Sequence, residues 1–303
     1  MWQIKVLIQL ILSVIPGGVY LNQKLQGVNR KSNAYSAELM KSRIPSLCES
    51  MKKIDDLSNI NGATIMEIGP GGSMISALLF YLLGAKKVYA FDHLNQIKYK
   101  LLEKNINIMG QCLEEISKIH NIDLEVLRDR VEHISSASNL SEALNNASID
   151  YCAPGDAAET KLNASSVDII YSHAVFEHLP VDLINEITIE SKRILKPTGI
   201  AYHSIDVHDH YAFDTSITKV NFLKYSPNFW SFFNHNKLAY HNRLRAKQFK
   251  DMFESLGSNT LLYEVKIEQE SLEAVQQMKI DKHFSGMTFE ELAAHQVELI
   301  IEF

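Results

Sequence analysis

Thr64, Ile65, Met66 and Ile68 form a short apolar run, followed by Gly69, Gly71 and Gly72. An apolar series at helical spacing comes next, Met74, Ile75, Ala77, Leu78, Leu79, Leu82 and Leu83, and stops at Gly84. A continuous apolar run bounded by a turn signal predicts a strand covered on both faces. The glycines let the backbone turn tightly and approach a ligand without a Cβ in the way. Ser73 is placed to cap the helix, and Gly84 to end it. A second apolar run, residues 88–91, closes on Asp92. Strand, glycine turn, helix, strand and acid make half of a nucleotide-binding unit, with the acid about twenty residues beyond the glycines, where a carboxylate accepts from a ribose diol.

The rest of the pattern extends this half-unit. Ile4, Leu7, Ile8, Ile11, Leu12 and Ile15 recur at helical spacing before Pro16-Gly17-Gly18. That series is too short, and too interrupted by Gln3, Lys5 and Gln9, to span a bilayer; the expected helix docks on the core or on a membrane surface. A polar stretch over 22–43 leads into a helix towards Leu57, and the sheet is expected to begin near Ala63. Residues 95–146 read as helical over more length than one crossover needs, which predicts an inserted helical element. Strands follow at 149–153, 167–172 and 200–205, the last after a helix ending at Lys196-Pro197-Thr198-Gly199. Residues 206–245 are aromatic and polar without a period, and are expected to form an insertion that covers the substrate. A helix at 246–256 and strands at 261–267 and 297–303 complete the chain. The expected division is an N-terminal helical extension over 1–60 and one α/β domain over 61–303.

Composition narrows the function. With 46% hydrophobic residues the chain can bury a large core, and its net charge of −6 argues against a partner bound through phosphate neutralisation, so no nucleic acid is expected. Cys48, Cys112 and Cys152 are odd in number and form no CxxC pair. A cytoplasmic protein is therefore expected, peripheral at the inner membrane face if the N-terminal helix docks there.

Spacing then separates cofactors. The dinucleotide fingerprint G-x-G-x-x-G begins at Gly69 and Gly71 but meets Met74 where its third glycine belongs, and the sole Tyr-x-x-x-Lys, Tyr20 to Lys24, precedes the glycines. Glu67 instead makes E-x-G-x-G, and in this the chain resembles the class I S-adenosylmethionine-dependent methyltransferases over roughly residues 60–260. Ser73 stands where that family often has another glycine. The resemblance implies a Rossmann-like, doubly wound, mostly parallel seven-stranded sheet, with the N-terminal extension and the insertion after strand five added to it. It implies S-adenosyl-L-methionine as cofactor, its methionine part surrounded by Glu67, Gly69, Pro70, Gly71 and Gly72 and its ribose held at Asp92 and His93. Gly155-Asp156-Ala157 matches the family's adenine site, with Asp156 accepting from the amino group and Ala157 facing the ring. Ser166-x-Asp168-x-x-x-Ser172 matches a further family pattern and sets Ser172 at the ligand-facing end of strand four.

Methyl transfer from a sulfonium requires alignment of the acceptor and, for a hydroxyl, a base near neutral pKa; no metal is intrinsically required. Two clusters offer bases. Glu177-His178-Leu179 repeats an EHL pattern of small-molecule members, and is expected to start the helix after strand four. His203-Ser204-Ile205-Asp206-Val207-His208-Asp209-His210 leaves strand five. His178 or His210 is the expected base, with Asp209 orienting an imidazole. Asp206, Asp209 and a histidine could instead hold a divalent metal, although their spacing matches no standard zinc pattern, and the preferred reading has none. Phe229, Trp230 and Phe232 could stack on a sugar or simply pack, and Arg243 and Arg245 could pair with an anionic acceptor or with the protein's own acids. The expected activity is methylation, at oxygen, of a small-molecule or glycan acceptor. A lipidic or quinone-like acceptor, a non-catalytic scaffold that keeps the cofactor fold, and an NAD-linked oxidoreductase are the alternatives.

Overall fold

The computed structural model describes residues 11–12, 15, 21, 37–213, 217–234 and 240–303, so most of the expected N-terminal helix and the Tyr20 to Lys24 pair lie outside the described residues. Helix α1 (Ala37–Asp55) buries Met40, Ile44, Leu47, Met51 and Ile54, a spacing of three and four that gives it one apolar face. The half-unit follows as strand β1 (Thr64–Ile68), helix α2 (Ile75–Leu82) and strand β2 (Lys87–Phe91). Four helices fill the expected insertion: α3 (Tyr99–Gly110), α4 (Leu113–His120), α5 (Leu124–Ser135) and α6 (Leu140–Asn146). Asp123 and Asn139 start the last two by accepting from the Glu125 and Glu142 N–H groups.

Strands β3 (Ile149–Cys152) and β4 (Val167–His173), helix α7 (Val181–Ile194) and strand β5 (Leu195–Asp206) come next. Helix α8 (Pro227–Asn234) lies in the insertion after β5, and helix α9 (Ala246–Ser255) and strand β6 (Asn259–Ile267) follow. Helices α10 (Gln269–Gln277) and α11 (Phe289–Ala293) precede strand β7 (Ala294–Glu302). The sheet order is β3-β2-β1-β4-β5-β7-β6, and β1 pairs in parallel with both β2 and β4. Strand order therefore reverses between β1 and β4, the switch point outside which open α/β sheets bind ligands. Among the described residues no helix is long and apolar enough to cross a membrane.

Four expectations need correction. Ser73 does not cap α2: Met74 occupies the N-cap at φ 53 with no side-chain cap bond, and the Ser73 carbonyl accepts from Asn105 Nδ2 at 2.7 Å. Lys196 to Gly199 belong to β5, not to the end of the preceding helix, because the segment runs beside β4. There Lys196 Nζ donates to Asp168 Oδ1 at 2.7 Å, and a Cβ on Gly199 would stand 2.9 Å from the Asp168 carbonyl oxygen. Glu177 and His178 form a separate 3-10 turn, Phe176–His178, since Pro180 holds Leu179 extended and delays the helix to Val181. Helices α10 and α11 are unanticipated. The first fully buries only Ser271 and Val275, and the second is five residues long, although the Thr288–Glu291 capping box was a readable start signal.

The chain divides into two compact units. One comprises residues 37–173 with Glu186–Tyr202 and Ile300–Phe303, and contains the half-unit and the helical insertion. The other comprises Ala174–Asn185 and His203–Leu299. Its core gathers Phe222, Leu223, Trp230, Val275, Phe284 and Leu292. Trp230 thus packs, whereas Phe229 and Phe232 of the same helix are exposed.

Candidate functional site

In the first unit, register brings the strand ends level. Ile68 is opposite Phe91 on β2 and Ser172 on β4, so the glycine turn, Asp92 and the end of β4 emerge from one edge. Gly69 and Gly71 adopt φ 70 and 60, conformations that favour glycine, and a Cβ on Gly72 would lie 3.2 Å from the Gln96 carbonyl oxygen. Met74 occupies the same left-handed region without that freedom, a backbone position at which glycine would be relaxed.

Asp92 is buried and faces the turn. Its Oδ2 accepts from the Gly71 N–H at 3.2 Å, and its Oδ1 from the Leu94 N–H at 3.0 Å. Exposed His93 places Nδ1 3.3 Å from the same Oδ1. The Asp92 carbonyl accepts from the Gly155 N–H at 2.8 Å, which draws the Gly155-Asp156-Ala157 turn to the same place. Only glycine fits at 155, since a Cβ would stand 2.4 Å from the Cys152 carbonyl oxygen. Asp156 is exposed, and its Oδ1 accepts from the Ala158 N–H at 2.8 Å. Ser172 is fully buried at the end of β4.

Glu67 lies on β1 between β2 and β4, 3% exposed. Burial pushes its carboxyl up to about 8, and the Asp92 charge adds to this against hydrogen bonds from the Ser76 hydroxyl and the Ala77 N–H. Its Oε2 has no hydrogen-bond partner among the described residues. A buried carboxyl with a spare acceptor beside a glycine turn suits a cationic ligand group, which would restore its charge. Ser76, Asn105 and Tyr151 escaped the sequence reading. Ser76 bonds Glu67, Asn105 holds the turn, and the Tyr151 hydroxyl ties the loop after Asp92 by accepting from the Gln96 N–H and donating to the Leu94 carbonyl.

The second unit holds a cluster of imidazoles. His178 and His210 ring centres are 4.9 Å apart, His210 lies 4.2 Å from His241 and 4.9 Å from His208, and His208 stacks on His295 at 4.3 Å. The sequence reading named His178, His208 and His210; His241 and His295 carry no local signal and arrive through folding. Burial lowers every one of these pKa values, His210 to about 3 and His208 to about 4, and neighbouring imidazoles lower those two further. His241 falls well below the ordinary value for the same reasons. For His178 burial again leads, but the residue is exposed by its accessible surface, so solvent moderates the effect. The imidazoles are neutral at pH 7.

Asn242 positions the turn that carries Glu177 and His178. Its Nδ2 donates to the Phe176 carbonyl at 2.7 Å and to that of Leu179 at 3.0 Å, while its N–H donates to the Glu177 carbonyl at 2.8 Å. Glu177 is 1% exposed, and burial, then the Asp206 charge, raises its pKa well above the ordinary carboxyl value. The Glu177 and Asp206 N–H groups oppose this weakly, and neither lies in hydrogen-bonding geometry with the carboxylate oxygens. Asp209 is drawn elsewhere: its Oδ1 accepts from the Tyr211 N–H at 2.8 Å, and burial raises it to about 6. The structure thus brings His178 and His210 together with Glu177, and sets Asp209 against the backbone of its own turn.

Among the described residues neither arginine of the 242–245 segment forms an ion pair, although the Asp281 charge acts on Arg243. Arg243 Nη1 donates to the Phe222 and Tyr225 carbonyls, and its guanidinium lies over Trp230 and Phe284. Arg245 is fully buried among backbone carbonyls. A cleft of about 450 Å³ includes Val181, Trp230, Tyr240, Asn242 and Arg243. A larger one of about 970 Å³, along Thr218, Lys224 and residues 277–282, shares no residue with the imidazole cluster. The smaller matters more here, because Tyr240 and Asn242 both bond the His178 turn.

Comparison with known proteins finds one family model and several solved structures. The model of a family described as a methyltransferase domain matches residues 127–203, which include β3, the Gly155-Asp156-Ala157 turn, β4, Glu177-His178 and most of β5. No curated protein sequence matches the chain. Among solved structures, a Haemonchus contortus phosphoethanolamine N-methyltransferase 2 is 15% identical, with a TM-score of 0.45 over 85% of this chain and 52% of that one. A Streptomyces coelicolor geranyl diphosphate C-methyltransferase is 9% identical, with a TM-score of 0.45 over 84% of this chain and 77% of that one. Residues 127–203 thus match a methyltransferase domain, and the sheet order with the strand, glycine turn and acid that open it is the fold of the class I S-adenosylmethionine-dependent methyltransferases, so the chain carries the domain of an enzyme with S-adenosylmethionine as its cofactor.

Proposed function

We propose that the enzyme methylates a hydroxyl oxygen of a small-molecule or saccharide acceptor. In this reading Glu67 and the turn at Gly69, Pro70, Gly71 and Gly72 hold the methionine part of the cofactor, Asp92 and His93 the ribose, and Asp156 and Ala157 the adenine, with Ser172 at the strand edge. A raised, half-satisfied Glu67 suits the α-ammonium group, and the Asp92 carboxylate keeps acceptor capacity for the ribose hydroxyls.

The observation that carries the hydroxyl assignment is the neutral imidazole cluster around His178 and His210. An amine acceptor deprotonated in solution needs no such group, whereas a hydroxyl must lose its proton during transfer. The cleft at Trp230, Tyr240 and Arg243 offers aromatic and cationic walls to a polar ring.

The test is transfer from labelled S-adenosylmethionine to matched panels of saccharide hydroxyls, phenols, quinols, amines and carboxylates, with products assigned by mass spectrometry. Methylation at oxygen of a hydroxyl panel is the expected result. Transfer confined to nitrogen or carboxylate would discard the assignment, and failure of the folded protein to bind S-adenosylhomocysteine would discard the cofactor reading.

A further inference from the structure

Two overlapping sets of ligand-type side chains lie in the second unit. Glu177, His178 and His210 each bring one ligand atom within 4.8 Å of the others, as do Asp206, His208 and His210. Each set has two imidazoles and one carboxylate, and His210 is common to both. Ligand atoms around a bound first-row cation lie roughly 3–4 Å apart for metal–ligand bonds of about 2.0–2.2 Å, so rotamer shifts of about 1 Å would close either set.

The first set is the better prepared. His178 Nδ1 lies 3.0 Å from the Tyr240 carbonyl oxygen. A carbonyl only accepts, so the proton sits on Nδ1 and Nε2 carries the free lone pair, the outer-shell arrangement that fixes a metal-bound histidine. Glu177, 1% exposed, has no hydrogen bond to either carboxylate oxygen among the described residues, and it faces the charge of Asp206.

We propose that Glu177, His178 and His210 bind one divalent transition-metal ion, of the Zn²⁺ or Co²⁺ kind rather than Mg²⁺ or Ca²⁺. Two imidazoles with one carboxylate and no thiolate suit such a cation, whereas Mg²⁺ and Ca²⁺ take all-oxygen sets. This set differs from the Asp206 and Asp209 pairing that the sequence suggested, because Asp209 is held by the Tyr211 N–H.

The chemical role rests on the methyltransferase reading above. An acceptor hydroxyl bound to the cation would be acidified towards neutral pH, as bound water is, and release its proton to solvent. The resulting oxygen forms the new bond to the methyl carbon while the carbon–sulfur bond breaks, its electron pair passing to sulfur and leaving neutral S-adenosylhomocysteine.

The test is titration of chelator-stripped full-length protein with Co²⁺, following visible d–d absorption, with calorimetric S-adenosylhomocysteine binding on the same preparations. One saturable Co²⁺ site is expected, displaced by Zn²⁺ and not by Mg²⁺. Glu177→Gln and His178→Ala should each weaken Co²⁺ binding about tenfold or more, and His210→Ala should abolish it. Should His210→Ala fail to fold, Glu177→Gln carries the test, being close to isosteric. No saturable Co²⁺ site in wild type that binds S-adenosylhomocysteine would overturn the metal and leave the methyltransferase reading standing; Co²⁺ binding without S-adenosylhomocysteine binding would do the reverse. Loss of binding in Asp206→Asn and His208→Ala, with Glu177→Gln and His178→Ala unaffected, would overturn the ligand assignment.

Discussion

Arg245 Nη2 donates to the Leu292 and Ala294 carbonyls at 3.0 and 2.5 Å, Nε to the Glu291 carbonyl at 3.2 Å, and Nη1 to the Val207 carbonyl. One buried guanidinium therefore ties the end of β5 to α11 and the start of β7, and burial lowers its pKa only to about 9, so it stays charged at neutral pH. Arg245→Met would strand those carbonyls, and since charged hydrogen bonds contribute about 1.5–3 kcal/mol each, a loss of about 3 kcal/mol or more is expected in urea unfolding. A loss under about 1 kcal/mol would show that the carbonyls find other donors. At Glu67 the pKa near 8 makes a binding prediction. Below pH 8 the free protein holds this carboxyl protonated, while pairing with the ligand ammonium needs it ionised. S-adenosylhomocysteine affinity should rise about tenfold per pH unit towards pH 8 and then level off, and Glu67→Gln should flatten that rise. An affinity in wild type that does not change with pH would exclude this role. The E-x-G-x-G spacing makes Glu67 readable from sequence, whereas the role of Arg245 is not, since its acceptors are main-chain atoms set by folds of the chain about 40 residues away in either direction.

At the scale of elements, the half-unit from β1 to Asp92 was legible because each piece has a local cause. Apolar continuity makes the strand, three glycines make the turn, and an apolar helix ends on Gly84 at φ 92. The 3-10 turn at Phe176–His178 was mistaken for a helix start because Pro180 acts on the residue before it. That turn depends on Asn242, which is more than 60 residues further along the chain. Asn242→Ala would take the side-chain donor from the Leu179 carbonyl and leave the Phe176 carbonyl only the Leu179 N–H at 3.3 Å, at an expected cost of about 2 kcal/mol. Methyl transfer should fall sharply while S-adenosylhomocysteine affinity, read by calorimetry, stays near wild type. Equal losses in both would mean that the variant unfolds more than this turn.

For the whole molecule the buried imidazoles set an acid limit. His203 is lowered to about 3, His208 to about 4 and His210 to about 3, with burial the leading cause in each. Their unfolded forms titrate near 6.5, so the unfolded chain takes up protons first as pH falls, and stability present above pH 6.5 is lost as pH drops towards these values. Glu67 and Asp209, raised to about 8 and about 6, act in the opposite sense and soften the slope. The thermal midpoint is expected to fall between pH 6.5 and pH 4.5. A midpoint that holds or rises over that range, measured by circular dichroism, would show that the histidines are solvated in solution.

The sequence by itself determined the cofactor half-unit, the helical insertion before β3 and the enzyme class, because periodicity, turn chemistry and motif spacing act over short stretches of chain. Tertiary structure alone decided how the imidazole cluster is built. It gathered His178, His208, His210, His241 and His295 from four separate segments, held Asp209 to its own turn and buried Arg245 among carbonyls. The reason is physical: whether a histidine is a solvated base, a weakly basic buried ring or a ligand depends on which distant residues remove its water, and no local pattern encodes that.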